Sequence, residues 1–494
     1  MIALLGHKML AKDSLRQPNG LYLLFFTEMW ERFGFYTLQT IIILYMSKSL
    51  LYVYGDGRSY AVYAAFSGLL YLMPVLGGYL ADRYFGFQYA IIIGGIIFIL
   101  SYILTALSGS HAFFLGLSVL VCAHGLFKPN VSSLLGELYA EHDPRREGGF
   151  TLFYMGINIG SLFPPLVAGF VVHLWGWHAG FLLAAVGMLF GMIIFLSGRR
   201  LLNGAGMLPL HSPLQRSGGF RVAFGLIFFL GLIVTIAIVY LAFGYPVVTG
   251  RVLEVCSVLV VLVVVGVALR ESRLVRNKLL AALTLIAISV GFWALYNQTF
   301  TSLMLFADRN MVKSFCGIPL STENTQFFNP FFIVVLSPIL SRIWTSLSKR
   351  SINPSYPGKF TLGVVMVGLG FFVLSFGIKY FSENGLVSAN WLVSSYFLQT
   401  LGELFLSPIA LAMVTELAPK HLVGMMMGVW FFSNSIAAVF GGSLARLTDI
   451  PAGTSVVAAL GIYQHGFLMF SVLALMLAIV SLLLMPIVKR LIRD

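Results

Sequence analysis

Charged residues are scarce in this chain of 494 residues. Asp, Glu, Lys and Arg together make up 10% of the sequence, whereas hydrophobic residues make up 59% and the mean hydropathy is +0.92. This composition excludes an ordinary soluble globular protein. The apolar residues fall in runs of about 20, the length of a membrane-spanning helix, and they do not alternate with polar residues as in barrel strands. The sequence therefore predicts an all-α polytopic membrane protein.

Cysteine is also rare. Cys122, Cys256 and Cys316 lie far apart, and two of them fall inside apolar runs. They provide neither a disulfide framework nor the spacing of a metal site. The first twenty residues lack the hydrophobic core and cleavage site of a signal peptide, so we expect a cytoplasmic tail.

Fourteen apolar segments are predicted along the chain. They cover residues 21–47, 59–81, 88–107, 111–138, 147–172, 178–197, 221–243, 252–269, 279–306, 326–347, 359–381, 391–418, 421–447 and 464–488. An even number of crossings places both termini on one side of the membrane. That side then carries roughly three times as many Lys and Arg residues as the other, so the positive-inside rule predicts cytoplasmic termini. The net charge of +13 follows this distribution and does not indicate nucleic-acid binding.

A weak internal repeat relates the two halves of the chain. PNVSSLLGEL begins at Pro129 and PIALAMVTEL begins at Pro408, each at the cytoplasmic end of a predicted helix. Chance similarity between two apolar stretches is the alternative. Paired halves favour a secondary transporter built from two six-helix bundles. The predicted divisions are a tail (1–20), a first bundle (21–200), a linker with an inserted hairpin (201–278), a second bundle (279–488) and a tail (489–494).

Three charged residues interrupt the first apolar segment, in the stretch TEMWERFGFY. Glu31 and Arg32 lie three and four residues after Glu28, so all three share one arc of a helix, although charges inside a membrane are costly. A plain salt bridge is one explanation, but one arginine cannot neutralise two carboxylates. A proton or another cation, for which Lys128 is a candidate, must supply the missing positive charge, and such an exchangeable partner is what proton coupling needs. The same arc continues with Phe35, Tyr36 and Gln39.

A second intramembrane acid, Glu403, lies on a polar stripe with Gln399 and Ser407. Glu403 has no basic residue within one helical turn, so its partner must come from another helix or from a ligand ammonium group. The alternative is a protonated structural acid. Further polar or aromatic candidates, each of which alone is more often a packing or interface residue, are Tyr71, Tyr154, Asn158, Asn329 and Trp430.

These stretches resemble the proton-dependent oligopeptide transporters, a branch of the major facilitator superfamily. TEMWERFGFY is similar to the first-helix signature ExxERFxYY of that family, GLFKPNVSSLLGELY to its lysine-bearing fourth helix, and FTLFYMGINIGSLFPP to its fifth-helix signature. Later matches are FFNPFFIVVLSPILS and LGELFLSPIALAMVTELAP. The resemblance implies the major facilitator fold with 14 transmembrane helices, two six-helix bundles plus an inserted hairpin. It also implies proton-coupled import of di- and tripeptides by alternating access across the inner membrane.

The resemblance also implies roles for individual residues. Glu28, Glu31, Arg32 and Lys128 would form the proton-coupling set, and Lys128 would also contact the peptide carboxylate. Glu403, assisted by Asn329, would receive the peptide amino terminus. The remaining pocket residues would be Tyr36, Tyr71, Tyr154, Asn158, Ser407 and Trp430. A zwitterion could then be held by Lys128 at one end and Glu403 at the other.

The chain departs from the family pattern at three positions. Phe35 replaces a signature tyrosine, Asn297 stands where many relatives have an acid, and Gln39 stands where some have arginine. Gln39 and Asn297 are kept among the expected substrate-binding residues.

We expect a monomer in the lipid bilayer that uses the proton as its coupling ion, without a metal or other cofactor. A different small solute on the same fold, such as nitrate, a modified amino acid or another zwitterion, is the alternative, although Glu403 would repel a simple anion. No nucleophile–base arrangement indicates an enzyme, and the short tails do not favour a receptor.

Overall fold

The computed structural model describes residues 17–51, 55–140, 143, 145–209, 212, 215, 219–350, 352, 354–419 and 422–493. Most of the predicted amino-terminal tail (1–20) and the last residue of the carboxyl-terminal tail therefore lie outside the described part. The described residues are almost entirely helical.

Fifteen α-helices lie in these ranges. The first eight are α1 (Asn19–Tyr45), α2 (Asp56–Leu80), α3 (Gly86–Ala106), α4 (Ser110–Glu137), α5 (Arg146–Leu162), α6 (Pro164–Gly198), α7 (Gly219–Gly244) and α8 (Pro246–Arg270). The others are α9 (Arg273–Tyr296), α10 (Ser302–Asn310), α11 (Phe328–Lys349), α12 (Tyr356–Phe381), α13 (Ala389–Leu417), α14 (Val423–Ala445) and α15 (Val456–Arg493). Short π or 3₁₀ turns continue several of them, at Met46–Leu50, Ala81–Phe85, Arg199–Leu202, Asn297–Phe300, Glu323–Phe327 and Arg446–Thr448.

All fourteen predicted segments fall on helices, but two helical interruptions were not predicted. The segment 147–172 covers nearly all of α5 and the start of α6, and 279–306 covers most of α9 and the start of α10. Within α6 the backbone leaves helical geometry at Gly176, where φ is 82° and ψ is 176°, and this break falls in the predicted connection between the segments 147–172 and 178–197. Only glycine adopts such a conformation readily. Ten stretches of the described residues are long and apolar enough to cross a membrane, so the number of crossings stays a prediction.

One small β-hairpin accompanies the helices. Strand β1 (Ser314–Phe315) pairs antiparallel with β2 (Ile318–Pro319), and the two turn residues, Cys316 and Gly317, have φ values of 51° and 80°. Two positive φ values are what a tight two-residue hairpin turn requires.

The chain forms two compact units, each made of discontinuous segments. The first comprises the described parts of Met1–Leu38, Met73–Pro164 and His178–Ala237, and the second those of Gln39–Leu72, Pro165–Trp177 and Ile238–Asp494. In the first unit α3 packs along α4, and in the second α12 packs against α13 and α15 while α9 packs against α14. The predicted division at residues 200 and 279 stays a prediction.

Candidate functional site

Four charged residues of the first unit meet in one cluster, which we call the acid–base cluster: Glu28, Glu31, Arg32 and Lys128. The side chains of Glu28 and Glu31 are fully buried. Arg32 donates two hydrogen bonds to Glu31, from Nε to Oε2 (2.5 Å) and from Nη2 to Oε1 (2.6 Å). Its Nε also lies 3.5 Å from Glu28 Oε1, and Lys128 Nζ forms an ion pair with that same oxygen. Two acids and two bases therefore balance in charge.

The two carboxyl oxygens of Glu28 differ sharply in their surroundings. Oε1 faces both cations, whereas Oε2 is buried and has no hydrogen-bond partner among the described groups. Buried polar atoms without a partner are rare in proteins and call for an explanation. Oε2 is the atom of the cluster where a proton can add without breaking an existing hydrogen bond.

Phe35, the departure from the signature, contacts the cluster through its ring. The Arg32 guanidinium lies over this ring, 4.7 Å from its centroid. The other neighbours of the ring include Tyr36 and His124, at centroid distances of 5.6 and 5.9 Å. The Phe35 ring thus makes a cation–π contact that helps to orient Arg32.

The helix that carries Lys128 lacks one backbone hydrogen bond directly after this residue. Pro129 has no N–H group, so the Gly125 carbonyl four residues earlier loses its helical donor. Asn130 Nδ2 donates instead to Leu126 O (2.6 Å) and, more weakly, to Gly77 O on α2 (3.4 Å). Lys128 therefore projects from a stretch of α4 whose backbone is held partly by side-chain hydrogen bonds.

In the second unit Glu403 lies at the centre of a separate group, the Glu403 cluster: Glu403, Tyr296, Asn329 and Thr400. Glu403 Oε2 accepts hydrogen bonds from the Tyr296 hydroxyl (2.7 Å) and from Asn329 Nδ2 (2.8 Å). Asn329 Nδ2 also lies 3.1 Å from Thr400 Oγ1. No cation in the described parts of the chain forms an ion pair with Glu403. A cationic ligand group would therefore meet a carboxylate that two neutral donors already hold in place.

Tyr296 was not predicted. It precedes Asn297 in FWALYNQTF, at the end of α9, and nothing in an aromatic-rich apolar run distinguishes its hydroxyl. Its pairing with Glu403 joins residues 107 apart in the sequence, so only the tertiary structure could reveal it. Asn297 itself is half-buried and lies beside Gly441 of α14.

Two of the predicted pocket residues use their side-chain amide groups in hydrogen bonds within the protein. Gln39 donates to the Tyr63 hydroxyl, and both residues are buried. Asn158 donates to the Tyr154 carbonyl one turn earlier (2.9 Å). Their carbonyl oxygens are the groups that a ligand could still use.

The remaining candidates differ in exposure. Tyr71 and Tyr154 are exposed, Tyr36 is half-buried and Trp430 is buried. Ser407 lies on α13 in a stretch whose side chains fall outside the described part. On the same helix Gln399 is fully buried and donates to Ser395 Oγ (2.9 Å), so it does not join the Glu403 cluster.

A further ion-pair group in the second unit was not predicted. Asp56, at the start of α2, is almost fully buried, and Arg309 of α10 binds both of its carboxyl oxygens. Ser47 donates to Asp56 Oδ1 (2.6 Å), and Arg309 Nη1 reaches the Tyr463 hydroxyl (3.2 Å). Arg309 lies 253 residues from Asp56 in the sequence, so it is a partner that local sequence cannot show.

Basic residues also surround the loop that follows α10. Lys48 pairs with Asp308 (2.7 Å), and Lys313 donates to Ala307 O and to Thr322 Oγ1 (2.6 Å). Burial lowers the pKa of the Lys313 ammonium group below its usual value.

Comparisons with known proteins bear on these arrangements. The model of the POT family matches residues 88–462. The dipeptide and tripeptide permease A of Edwardsiella piscicida is 35% identical over 482 residues, which are 97% of this chain and 96% of the permease. The similarity therefore extends over nearly the whole chain.

Solved structures of transporters are also similar to this chain over nearly its whole length. A crystal structure of peptide transporter POT in complex with sulfate superposes with a TM-score of 0.83 at 32% identity, covering 97% of this chain and 98% of that one. A crystal structure of a POT family transporter in complex with 5-aminolevulinic acid has a TM-score of 0.81 at 28% identity, covering 96% and 97%. The helical arrangement described above is thus similar to known transporter structures.

Proposed function

This chain belongs to the POT family, and from that premise we propose that it is a symporter that imports di- and tripeptides together with protons by alternating access. The family match covers most of the chain, and a permease of di- and tripeptides is similar to it along almost its full length. Its many apolar helices make it a multi-pass membrane protein.

The observation that carries the coupling mechanism is the shared Oε1 of Glu28. In the acid–base cluster this oxygen faces both Arg32 and Lys128, and the charges balance without a bound proton. When a peptide carboxylate draws Lys128 away, Glu28 loses one of its two cations while remaining buried. A proton on Glu28 restores neutrality, since an uncompensated buried charge is costly. Peptide binding and protonation therefore favour each other.

The second recognition element is Glu403. Tyr296 and Asn329 hold its carboxylate by two hydrogen bonds, and it lacks a cation among the described residues. The ammonium group of a peptide supplies the missing positive charge. Of the other expected pocket residues, Gln39, Asn158 and Asn297 would contribute amide oxygens, and Tyr36, Tyr71, Tyr154, Ser407 and Trp430 would line the remaining surface.

The proposal includes a finer architecture. Fourteen transmembrane helices form two six-helix bundles of the major facilitator type, with the hairpin of α7 and α8 inserted between them in the sequence. Both termini are cytoplasmic in the inner membrane, in keeping with the distribution of Lys and Arg. The transporter acts as a monomer and uses the proton, without a metal or other cofactor.

A second candidate function is transport of another small zwitterion on the same fold. One of the similar transporters has been crystallised in complex with 5-aminolevulinic acid. Such a ligand also offers an ammonium group to Glu403 and a carboxylate to Lys128. A simple anion such as nitrate lacks the ammonium group and would be repelled by Glu403.

Uptake of radiolabelled dialanine into proteoliposomes tests the substrate class. We expect unlabelled trialanine in hundredfold excess to abolish the uptake, whereas nitrate leaves it unchanged. Competition by 5-aminolevulinic acid but not by trialanine would favour the second candidate. No dialanine uptake by a monodisperse, reconstituted protein would contradict the assignment to peptides.

A further inference from the structure

A cavity of about 460 Å³ lies in the first unit, apart from the acid–base cluster. Its walls come from three helices: α2, α4 and α7. The wall residues on α2 include Leu76 and Tyr79, those on α4 include Cys122 and Gly125, and those on α7 include Gly231.

Near its start α7 packs against the rest of the unit through two aromatic side chains. Phe224 and Phe228 pack against the buried cluster around Phe85, with ring centroids 5.9 and 4.7 Å from its ring. One turn further along α7, a Cβ built on Gly231 would have no described atom within 4 Å. The aromatic contacts hold the helix in place, and the glycine leaves the space beside α2 and α4 empty.

The cavity opens toward the surface that faces the bilayer. Leu76 and Tyr79 are 54% and 55% exposed, and Ile227 is 68% exposed. The helical stretch Val222–Gly244 is strongly apolar, and in its most apolar part only 6% is buried inside the protein. In a multi-pass membrane protein such a surface is covered by lipid.

The side chains that line the cavity offer water few hydrogen-bonding groups. Its residues are aliphatic or aromatic apart from the tyrosine hydroxyls, Cys122 and Thr235, and the Thr235 hydroxyl already donates to Gly231 O (2.8 Å). Apolar cavities without hydrogen-bond partners stay dry and take apolar guests; one of roughly 150 Å³ holds a benzene ring. A volume of about 460 Å³ is roughly three times larger and therefore suits a chain of on the order of 15 carbons.

One end of the cavity has the character of a membrane interface. Tyr79 and Tyr84 line it there, with their rings 6.3 Å apart, and the exposed Asp82 and Arg83 lie between them in the sequence. Tyrosine prefers positions where one end is apolar and the other is wet. A guest with an apolar chain and a polar head fits this gradient better than a plain hydrocarbon.

We propose that this cavity is a binding site for one acyl chain of a bilayer phospholipid, whose headgroup lies beside Tyr79 and Tyr84. The chain lies against Gly125 and Leu126, in the stretch of α4 where Pro129 removes a backbone hydrogen bond. The bound lipid thereby supplies packing to the part of α4 from which Lys128 projects. This site is independent of the peptide assignment.

Native mass spectrometry of the detergent-purified protein, supplied with palmitoyl-oleoyl phosphatidylethanolamine, tests the proposal. We expect one phospholipid to remain bound to the wild type through detergent exchange. Gly231→Phe fills the open space, so retention should fall at least tenfold. Gly225→Phe is the matched control, because Gly225 lies on the same helix with equally open surroundings but outside the cavity lining, and it should retain lipid as the wild type does.

Chemical modification gives a second measurement that does not depend on the glycine variants. In a Cys256→Ser, Cys316→Ser background, delipidation should raise the rate of Cys122 alkylation by N-ethylmaleimide at least fivefold, and added phospholipid should reverse this. Equal lipid retention by the two phenylalanine variants, or a Cys122 rate that is independent of lipid, would overturn the proposal. Retention of detergent in place of phospholipid when both are supplied would overturn it as well.

Discussion

At the scale of single residues, charge balance explains why the first helix tolerates three charges. Arg32 donates two short hydrogen bonds to Glu31 and makes only a longer contact with Glu28. Lys128 is therefore the principal partner of Glu28, and it is also the residue that can leave, because its side chain is 27% exposed. Arg32 thus stays paired with Glu31, whereas Lys128 is the cation that can move away from Glu28.

Replacing Lys128 by glutamine should impair both transport and its response to pH. Without the ammonium group Glu28 keeps only the 3.5 Å contact with Arg32, so the cation that a peptide carboxylate would draw away from Glu28 is missing from the start. We expect dialanine uptake to fall at least tenfold and its dependence on external pH to flatten. Wild-type uptake at every pH would exclude Lys128 from the mechanism. Lys379→Gln, at an exposed lysine near the end of α12, serves as the control.

Replacing Glu403 by glutamine should selectively weaken the binding of peptides that have a free amino terminus. A hydrogen bond to a charged group contributes about 1.5–3 kcal/mol, which corresponds to roughly a 10- to 150-fold change in affinity. Isothermal titration with dialanine and with N-acetyl-dialanine measures the difference. Only the dialanine affinity should fall by this factor. Equal losses for both ligands would contradict the ammonium contact.

At the scale of elements, the crossing of α2 and α4 positions Lys128 through two glycines. A Cβ placed on Gly77 would overlap the Gly125 carbonyl, and one placed on Gly125 would lie 2.8 Å from Met73 Cβ. The two helices can approach this closely only because both positions lack side chains, a common device in membrane helix packing. The neighbouring Gly78 has ordinary spacing, since its Cβ would lie 3.8 Å from Pro129 Cβ.

Gly77→Ala and Gly78→Ala form a matched pair that tests this crossing. Overpacking costs about 1–3 kcal/mol, so Gly77→Ala should lower the thermal unfolding temperature measured by dye binding in detergent. Gly78→Ala should leave that temperature unchanged or raise it, because alanine favours a helix by up to about 1 kcal/mol over glycine. The same loss of stability in both variants would show that the close approach is not the cause.

The elements were predictable where one physical signal dominates. Runs of apolar residues located all fourteen segments, because helices in lipid must be apolar along a fixed length. The interruptions between α5 and α6 and between α9 and α10 were not predicted, because the segments 147–172 and 279–306 run across them. The start of α15 was placed at residue 464, whereas the helix begins at Val456, where Ser455 Oγ accepts from the Ala458 N–H group (3.3 Å). A capping serine in an irregular loop is a weak signal by itself.

The site was predictable only in part, for a related reason. Intramembrane charge is so costly that Glu28, Glu31, Arg32, Lys128 and Glu403 were conspicuous in the sequence. Partners that carry no charge, such as Tyr296, gave no signal. Arg309 and Asp56 lie outside the predicted apolar segments, so neither was a candidate for a buried ion pair. Their pairing depends on tertiary contacts between distant segments.

At the scale of the whole molecule, the proposed topology places the β-hairpin on the outer side of the membrane. Cys316 is exposed at the turn of this hairpin, whereas Cys122 is buried and Cys256 is partly buried. In a Cys122→Ser, Cys256→Ser background, a membrane-impermeant maleimide should therefore label Cys316 in intact spheroplasts. Labelling that requires inverted vesicles would reverse the topology and place the termini outside. A cysteine added at position 490 is the cytoplasmic control.

The central claim is that peptide and proton move together through Glu28. The most direct measurement is the internal pH of proteoliposomes that contain pyranine, after dialanine is added outside without an initial gradient. We predict acidification with the wild type and with Glu383→Gln, an exposed acid before α13, but none with Glu28→Gln, which should still exchange peptide in counterflow. Acidification by Glu28→Gln at the wild-type rate, or peptide uptake by the wild type without acidification, would contradict the account.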